Sequence, residues 1–232
     1  MHIAQFRYAQ DNLSYLIYEN HSALAVDGGA ADRILAFVQN LGLKLRYVTN
    51  THSHADHTPG NRRLVEESGA EYLSPAALVR QKSLLLDQAP IHAHSTPGHS
   101  HDSVTLYAGP ALITGDLLFN GTVGNCFTGD LKGFFNSIQW VLGFPPETLI
   151  YAGHDYVKDA MAFARRLEPD HPHIDAFMKA YDPECVRSTL AQELKINPYL
   201  RFNDPAMIRL LEKKGLSVAD EFQRWISLMS LE

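Results

Sequence analysis

In the first third of the chain, short apolar-rich, β-like runs alternate with polar turns: residues 3–8, 13–18 and 23–26, the last ending in Asp27-Gly28-Gly29. Runs of that length bounded by turn residues predict neighbouring strands of one sheet. Residues 31–41 change to helical spacing, with Ile34, Leu35, Phe37, Val38 and Leu41 on one face until Gly42 stops it, and a strand over 45–48 follows. The pattern resumes with strands over 104–107 and 111–114, a glycine-rich loop, a helix over 134–142 and a strand over 148–151. From about Tyr156 only helical spacing remains, predicting helices over 157–167, 174–181, 183–194, 206–214 and 218–228. Together these elements predict an α/β (α+β) domain over residues 1–155 and a helical C-terminal subdomain over 156–232. Two similar strand-rich halves are compatible with a duplicated sheet sandwich.

With 232 residues and 45% apolar content, the chain closes a core without disulfides or a partner. Its two cysteines, Cys126 and Cys185, are too few for a disulfide framework or a thiolate zinc site, which fits a reducing compartment. A net charge of −6 and the lack of any Lys/Arg block disfavour a nucleic-acid partner. No run reaches the roughly 18 apolar residues of a membrane span, and the start has no basic stretch followed by an apolar one. The expectation is a soluble, cytoplasmic protein with no membrane partner and an open oligomeric state.

Composition says nothing of chemistry; the segment Thr51-His52-Ser53-His54-Ala55-Asp56-His57 does. It packs three imidazoles and a carboxylate into six positions just after a predicted strand. A helical zinc site would space its histidines four apart on one face, whereas here only an extended stretch running into a turn can aim the set at one point. In that geometry His52 and His54 bind one ion while Asp56 and His57 reach a neighbour. A solvated His-rich loop is the plain alternative for any one of them, less so for four together. Further candidates end strand-like runs or sit in glycine turns: Pro97-Gly98-His99, Thr114-Gly115-Asp116 and Ala152-Gly153-His154, where a small residue lets the backbone approach an ion closely. Asp27 is placed either to hydrogen-bond a ligating histidine from behind or simply to complete a turn. His92, His94 and His101 receive no metal role, Asp102 stays undecided between supporting a ligand and capping a turn, and Cys126 reads as a passive small apolar side chain.

These residues resemble the metallo-β-lactamase-fold hydrolases, whose signature is His-x-His-x-Asp-His followed by separated His, Asp and His ligands; all seven positions are filled. The resemblance implies an αββα sandwich with the site at one edge of both sheets. It implies that His52, His54 and His99 hold one metal, that Asp56, His57 and His154 hold another, and that Asp116 bridges them. Within that superfamily the chain is most similar to the glyoxalase II (hydroxyacylglutathione hydrolase) family over nearly its whole length. The similarity rests on Thr96-Pro97-Gly98-His99, Gly115-Asp116-Leu117-Leu118-Phe119, Gly153-His154-Asp155-Tyr156, Ser188-Thr189-Leu190-Ala191-Gln192-Glu193 and Asn197-Pro198-Tyr199-Leu200-Arg201. By the same resemblance Tyr156, Phe127 and Asn125 are substrate-binding positions. Asn125 stands where the family has a basic residue, and the stretch 222–229 lacks the family's basic clamp.

Two divalent ions (zinc, iron or manganese) roughly 3.5–4 Å apart can share one water and depress its pKa from about 15.7 towards ~7. A bridging hydroxide then attacks a thioester or ester carbonyl, with Asp116 and Asp56 as the catalytic carboxylates of the pair and no separate protein base. Two dications, two carboxylates and a hydroxide leave a local charge of about +1, so an acidic protein still presents a cationic site to an anionic small-molecule substrate. The alternative is a persulfide dioxygenase, similar in His54-Ala55-Asp56-His57 and His154-Asp155-Tyr156, which would use one iron on His52, His99 and Asp116. A nuclease of the same fold needs a basic groove that is not visible, and a binding module leaves seven ligands without a purpose.

Overall fold

A computed structural model describes residues 1–231, so the last position of the expected 156–232 subdomain lies outside the described residues. The elements run β1 (His2–Tyr8), β2 (Asn12–Glu19), β3 (Ser22–Val26), α1 (Ala31–Asn40), β4 (Lys44–Thr49), α2 (Asn61–Ser68), β5 (Glu71–Leu73), α3 (Pro75–Gln81), β6 (Ser83–Leu86) and β7 (Ala89–Ser95). They continue with β8 (Val104–Ala108), β9 (Ala111–Gly115), β10 (Leu118–Phe119), β11 (Thr122–Val123), α4 (Leu131–Leu142) and β12 (Leu149–Ala152). Last come α5 (Val157–Leu167), α6 (Ile174–Ala180), β13 (Ser188–Thr189), α7 (Leu190–Ile196), α8 (Pro205–Lys213) and α9 (Glu221–Met229).

Two sheets, ordered β1-β2-β3-β4-β5 and β13-β12-β9-β8-β7-β6, carry the sandwich. Strand geometry, which sends successive side chains to opposite faces, decides what each side chain packs against. Along β2, Leu13, Tyr15 and Ile17 enter the core between the sheets, where Leu84, Ile91, Leu106 and Ile113 meet them. Leu16, one position out of phase, faces away and packs with Ile34 and Val38 of α1 and Leu64 of α2. In β9 the same alternation sends Ile113 inward and Leu112 outward, onto Phe134, Ile138 and Val141 of α4. The layers are therefore helix, sheet, sheet, helix, the αββα arrangement expected.

The C-terminal helices close onto these cores rather than forming a separate one. Val157, Ala160, Met161 and Ala164 of α5 join the inter-sheet core, and Trp225 of α9 sits with its ring 5.3 Å from that of Phe134. The expected helix over 183–194 is corrected: Ser188–Thr189 pair with β12, and the helix runs only over Leu190–Ile196. Thr189 explains the shift, because its side chain and Gln192 form a capping box that starts the helix there. The strands β5, β6, β7, β10, β11 and β13 and the helices α2 and α3 are additions, mostly too short to develop a readable period.

Glu193 ties this region to the site side of the molecule. It is completely buried and accepts hydrogen bonds from Gly121 N at 2.9 Å, Ser188 Oγ at 2.6 Å and Asn197 Nδ2 at 2.9 Å. Burial pushes its pKa up to about 7, and the three donors only partly oppose that. A carboxyl whose folded pKa exceeds its unfolded value stabilises the fold fully below the unfolded value and loses that contribution as pH rises through the folded one. Stability should therefore fall by about 3 kcal/mol between about pH 4.5 and 7 from this group. Glu193→Gln, measured by urea unfolding across that window, should flatten the slope; an unchanged slope assigns it to other groups.

Candidate metal centre

The site lies where β3, β4, β9 and β12 end. Two of the parallel pairs bring these ends together: β3 beside β4, and β9 beside β12. Leaving β4, the chain runs through Asn50 and Thr51 into the segment carrying His52, His54, Asp56 and His57. Asp116 follows β9, His154 follows β12, and His99 comes from the turn between β7 and β8.

All seven candidate ligands converge. His52, His54 and His99 place one ligand atom each within 4.8 Å of one another, as do Asp56, His57 and His154, and also His52, His57 and Asp116. His52 Nε2 and His99 Nε2 approach His54 Nδ1 at 2.9 and 3.0 Å, and His57 Nε2 lies 3.2 Å from His154 Nε2. Asp116 sits between the groups: Oδ1 is 3.4 Å from His57 Nε2, and Oδ2 is 3.5 Å from both His99 and His154 Nε2. Gly153 makes room for it, because a Cβ there would stand 2.1 Å from Asp116 Oδ1. Gly115, at φ +53°, adopts the left-handed turn that aims Asp116 inward, and its bare Cα lies against Thr51.

This donor set fits divalent cations. Two imidazole nitrogens face one His54 nitrogen, which has a single proton at most to share, so lone pairs are left pointing at one another. Among the described residues Asp116 Oδ1 is buried without a hydrogen-bond partner, an arrangement that costs free energy unless a cation satisfies it. Imidazole and carboxylate donors suit zinc, iron and manganese alike.

The electrostatics follow from the geometry. Burial, with the His57 charge beside it, pushes His52 down to about 4, and burial also lowers His99. Both are thus neutral imidazoles. Burial would lower His57 too, but Asp27 and Asp116 outweigh it and push it up to about 11; Asp116 likewise raises His154. Burial works against the Asp116 charge, yet His154 and His57 hold the carboxyl well below the usual range.

Behind the candidate ligands stands a set of supports. Asp27, fully buried, lies 3.0 Å through Oδ2 from His57 Nδ1 and accepts from Thr51 N and Oγ1 at 2.8 and 2.7 Å. Asp11 Oδ1 lies 2.8 Å from His154 Nδ1, and the carbonyl of Asn125 lies 3.1 Å from His99 Nδ1. Asn12 Nδ2 donates to Asp56 Oδ2 at 3.0 Å. Sequence reasoning raised Asp27 but missed Asp11, Asn12 and Thr51, since Asp-Asn between two strands reads as an ordinary turn.

Of the candidate substrate positions, Tyr156 stacks on the His154 ring at 5.0 Å and 6°, and with Asn125 it lines a cavity of about 230 Å³ bounded by Phe119, Asp159, Phe163 and Arg166. Phe127 is 69% exposed, with its ring 5.1 Å from that of His99. The residues given no metal role lie apart: His94 stacks on Trp140 at 4.1 Å and His92 on Tyr107. Asp102 accepts from Ser100 Oγ at 2.8 Å, and Cys126 Sγ lies 3.5 Å from Thr128 Oγ1. Among the described residues no helix is long and apolar enough to cross a membrane.

Comparison with known proteins agrees with this geometry. The family model of the metallo-β-lactamase superfamily matches residues 8–82 and 81–154, and that of the hydroxyacylglutathione hydrolase C-terminus matches 155–225. A hydroxyacylglutathione hydrolase of Methylobacillus flagellatus is 30% identical over 220 residues, covering 86% of each chain. One from Pseudoalteromonas translucida is 31% identical over 228 residues, covering 91% of this chain and 89% of its own. In fold the chain is similar to ETHE1 from Myxococcus xanthus, with a TM-score of 0.72 and 24% identity over 99% of this chain and 90% of the other. It is also similar to a protein crystallised in a di-iron-bound form, with a TM-score of 0.61 and 23% identity over 86% of this chain and 100% of that one. The chain therefore belongs to the metallo-β-lactamase superfamily and, within it, to the hydroxyacylglutathione hydrolases.

Proposed function

We propose that this protein hydrolyses a small thioester or ester, holding one divalent cation on His52, His54 and His99 and a second on Asp56, His57 and His154, with Asp116 between them. The observation that carries the reading is the placement of Asp116, whose two carboxylate oxygens face histidines of both groups at 3.4–3.5 Å. The relatives named hydroxyacylglutathione hydrolases support the thioester class. A single-iron centre on His52, His99 and Asp116 would leave Asp56, His57 and His154 converged with nothing to hold.

When bound, such cations supply Lewis acidity, polarising a carbonyl and making a water acidic enough to attack near neutral pH. The protein's own share is preorganisation. Asp27 and Asp11 accept hydrogen bonds from Nδ1 of His57 and His154, so Nε2 is the ring nitrogen that faces the centre and the one whose proton a bound cation would displace. Burial keeps His52 and His99 neutral, so their lone pairs stay available. Tyr156 and Asn125 border the cavity beside His154, where they can orient the part of the substrate that does not react. With cations bound, these residues would present a cationic centre to an anionic substrate.

Purified protein should contain two divalent ions per chain and hydrolyse members of a panel of acyl-thiol thioesters without consuming oxygen. Chelation should abolish turnover and metal should restore it. Oxygen uptake with sulfite formation from a persulfide, and no thioester cleavage, would sink the proposal in favour of the iron alternative.

A further inference from the structure

The turn joining β1 to β2 is tied to the site more tightly than a solvent-facing hairpin needs to be. Asp11 contacts His154 Nδ1 at 2.8 Å through its side chain and accepts from Asp155 N at 2.9 Å through its carbonyl. Asn12 forms a bridge with His154, and Leu13 N donates to Gly153 O at 2.9 Å. The Asn12 amide holds Asp56 Oδ2 at 3.0 Å, and the Tyr8 hydroxyl donates to the Asp56 carbonyl at 2.7 Å. Arg7 adds an ion pair to Asp155, the residue after His154. Ala9 is held at φ +48°, a conformation unfavourable for a non-glycine residue that persists only where its surroundings impose it.

Every one of these contacts goes to Asp56, His154 or the neighbours of His154. Among the described residues, none of residues 8–12 hydrogen-bonds to His52, His54 or His99. That group has other supports: Thr51 Oγ1 at 3.2 Å from His52 Nδ1, and the Asn125 carbonyl behind His99. Asp27, with Thr51, reaches both groups, whereas the β1–β2 turn reaches one alone.

We infer that the β1–β2 turn is a positioning element for one cation alone: Asp11 and Asn12 orient the His154 and Asp56 ligand atoms, so occupancy of that position depends on the turn while the other does not. The inference rests on the two-cation reading above. Asp11 acts by accepting the Nδ1 proton of His154, which fixes the ring tautomer with its Nε2 lone pair towards the centre, and by preventing the ring from turning. Asn12 acts by fixing one oxygen of Asp56, a side chain that is otherwise 51% exposed and free to swing. Losing such a support behind a ligand typically costs about 10–100-fold in metal affinity.

The test uses the full chain, stripped with a chelator and dialysed against graded zinc or cobalt, with bound metal counted by mass spectrometry. Wild-type protein should take up two ions. Asp11→Ala should keep one at wild-type affinity and bind the other about 10–100-fold more weakly, with an unchanged far-ultraviolet circular dichroism spectrum. Asp11→Asn, whose amide oxygen can still accept the Nδ1 proton, should recover most of that loss. Turnover of Asp11→Ala should return at high metal with KM unchanged. An Asp11→Ala protein that binds both ions as wild type does, or weakens both equally, overturns the inference. A wild-type chain that takes up only one ion refutes the two-cation reading, and this inference with it, a result separable from either of those.

Discussion

Asp116→Ala should lose at least about 10³-fold in kcat/KM, equivalent to about 4 kcal/mol of transition-state stabilisation, while its cation-free form unfolds within a few degrees of wild type. The asymmetry follows from where this side chain lies. It faces four histidines of the site and occupies the space left by Gly153, but among the described residues its Oδ1 has no hydrogen-bond partner whose loss would unfold anything. Its value is confined to charge between two groups of imidazoles. Asp116→Asn keeps the shape and removes the charge, so it should be nearly as inactive, and both variants should retain less metal after dialysis. Steady-state kinetics on the best thioester, paired with thermal unfolding in chelator, reads both effects. Wild-type turnover in either variant would remove Asp116 from the centre of the site.

Much of this was legible in the sequence because it is local. The apolar-rich β-like run at residues 13–18 and the helical spacing at 31–41 each report burial on a core, and those elements appear at nearly the expected bounds. The ligand segment was legible through density, since three imidazoles and a carboxylate in six residues have few other uses. What local reading could not supply was pairing. Residues 71–73 and 188–189 are strands only because β4 and β12 lie beside them, and no pattern of two or three residues can announce a partner distant in sequence. The helix expected over 183–194 failed for a related reason: apolar spacing there was real, but the Thr189 cap and the pairing of Ser188 to β12 decided where it began.

The supports behind the ligands were the hardest to see. Asp11 and Asn12 acquire their roles by folding 143 and 44 residues away onto His154 and Asp56, whereas in the sequence they are a turn between two strands. Thr51 reads as a strand-end residue, yet its hydroxyl joins Asp27 to His52. Chemistry of this kind has no spacing rule, because each support needs only one contact with one ring.

Asp27 is the support whose loss should cost most. Its φ of +52° suits an aspartate or asparagine but strains an alanine by roughly 1–2 kcal/mol. Its carboxylate is the partner of three buried groups: Thr51 N, Thr51 Oγ1 and His57 Nδ1. Leaving buried donors unpaired costs about 1–3 kcal/mol each before relaxation. Asp27→Ala should therefore destabilise the cation-free protein by about 3–5 kcal/mol, within the range seen when one partner of a buried pair is removed. Asp27→Asn separates fold from function. Its amide oxygen can still accept from Thr51 N, and its conformation is tolerated, so most of the stability should remain. The amide nitrogen, however, then faces His57 Nδ1 as a donor, which forces the ring proton onto Nε2, the atom aimed at Asp116 and His154. A ring protonated there cannot bind a cation, so Asp27→Asn should fold yet lose about 10–100-fold in metal affinity. Urea unfolding in chelator and metal counting after dialysis distinguish the two variants. If Asp27→Asn kept its metal and its turnover, Asp27 would be a turn residue and nothing more, and the orientation of His57 would have to come from packing alone.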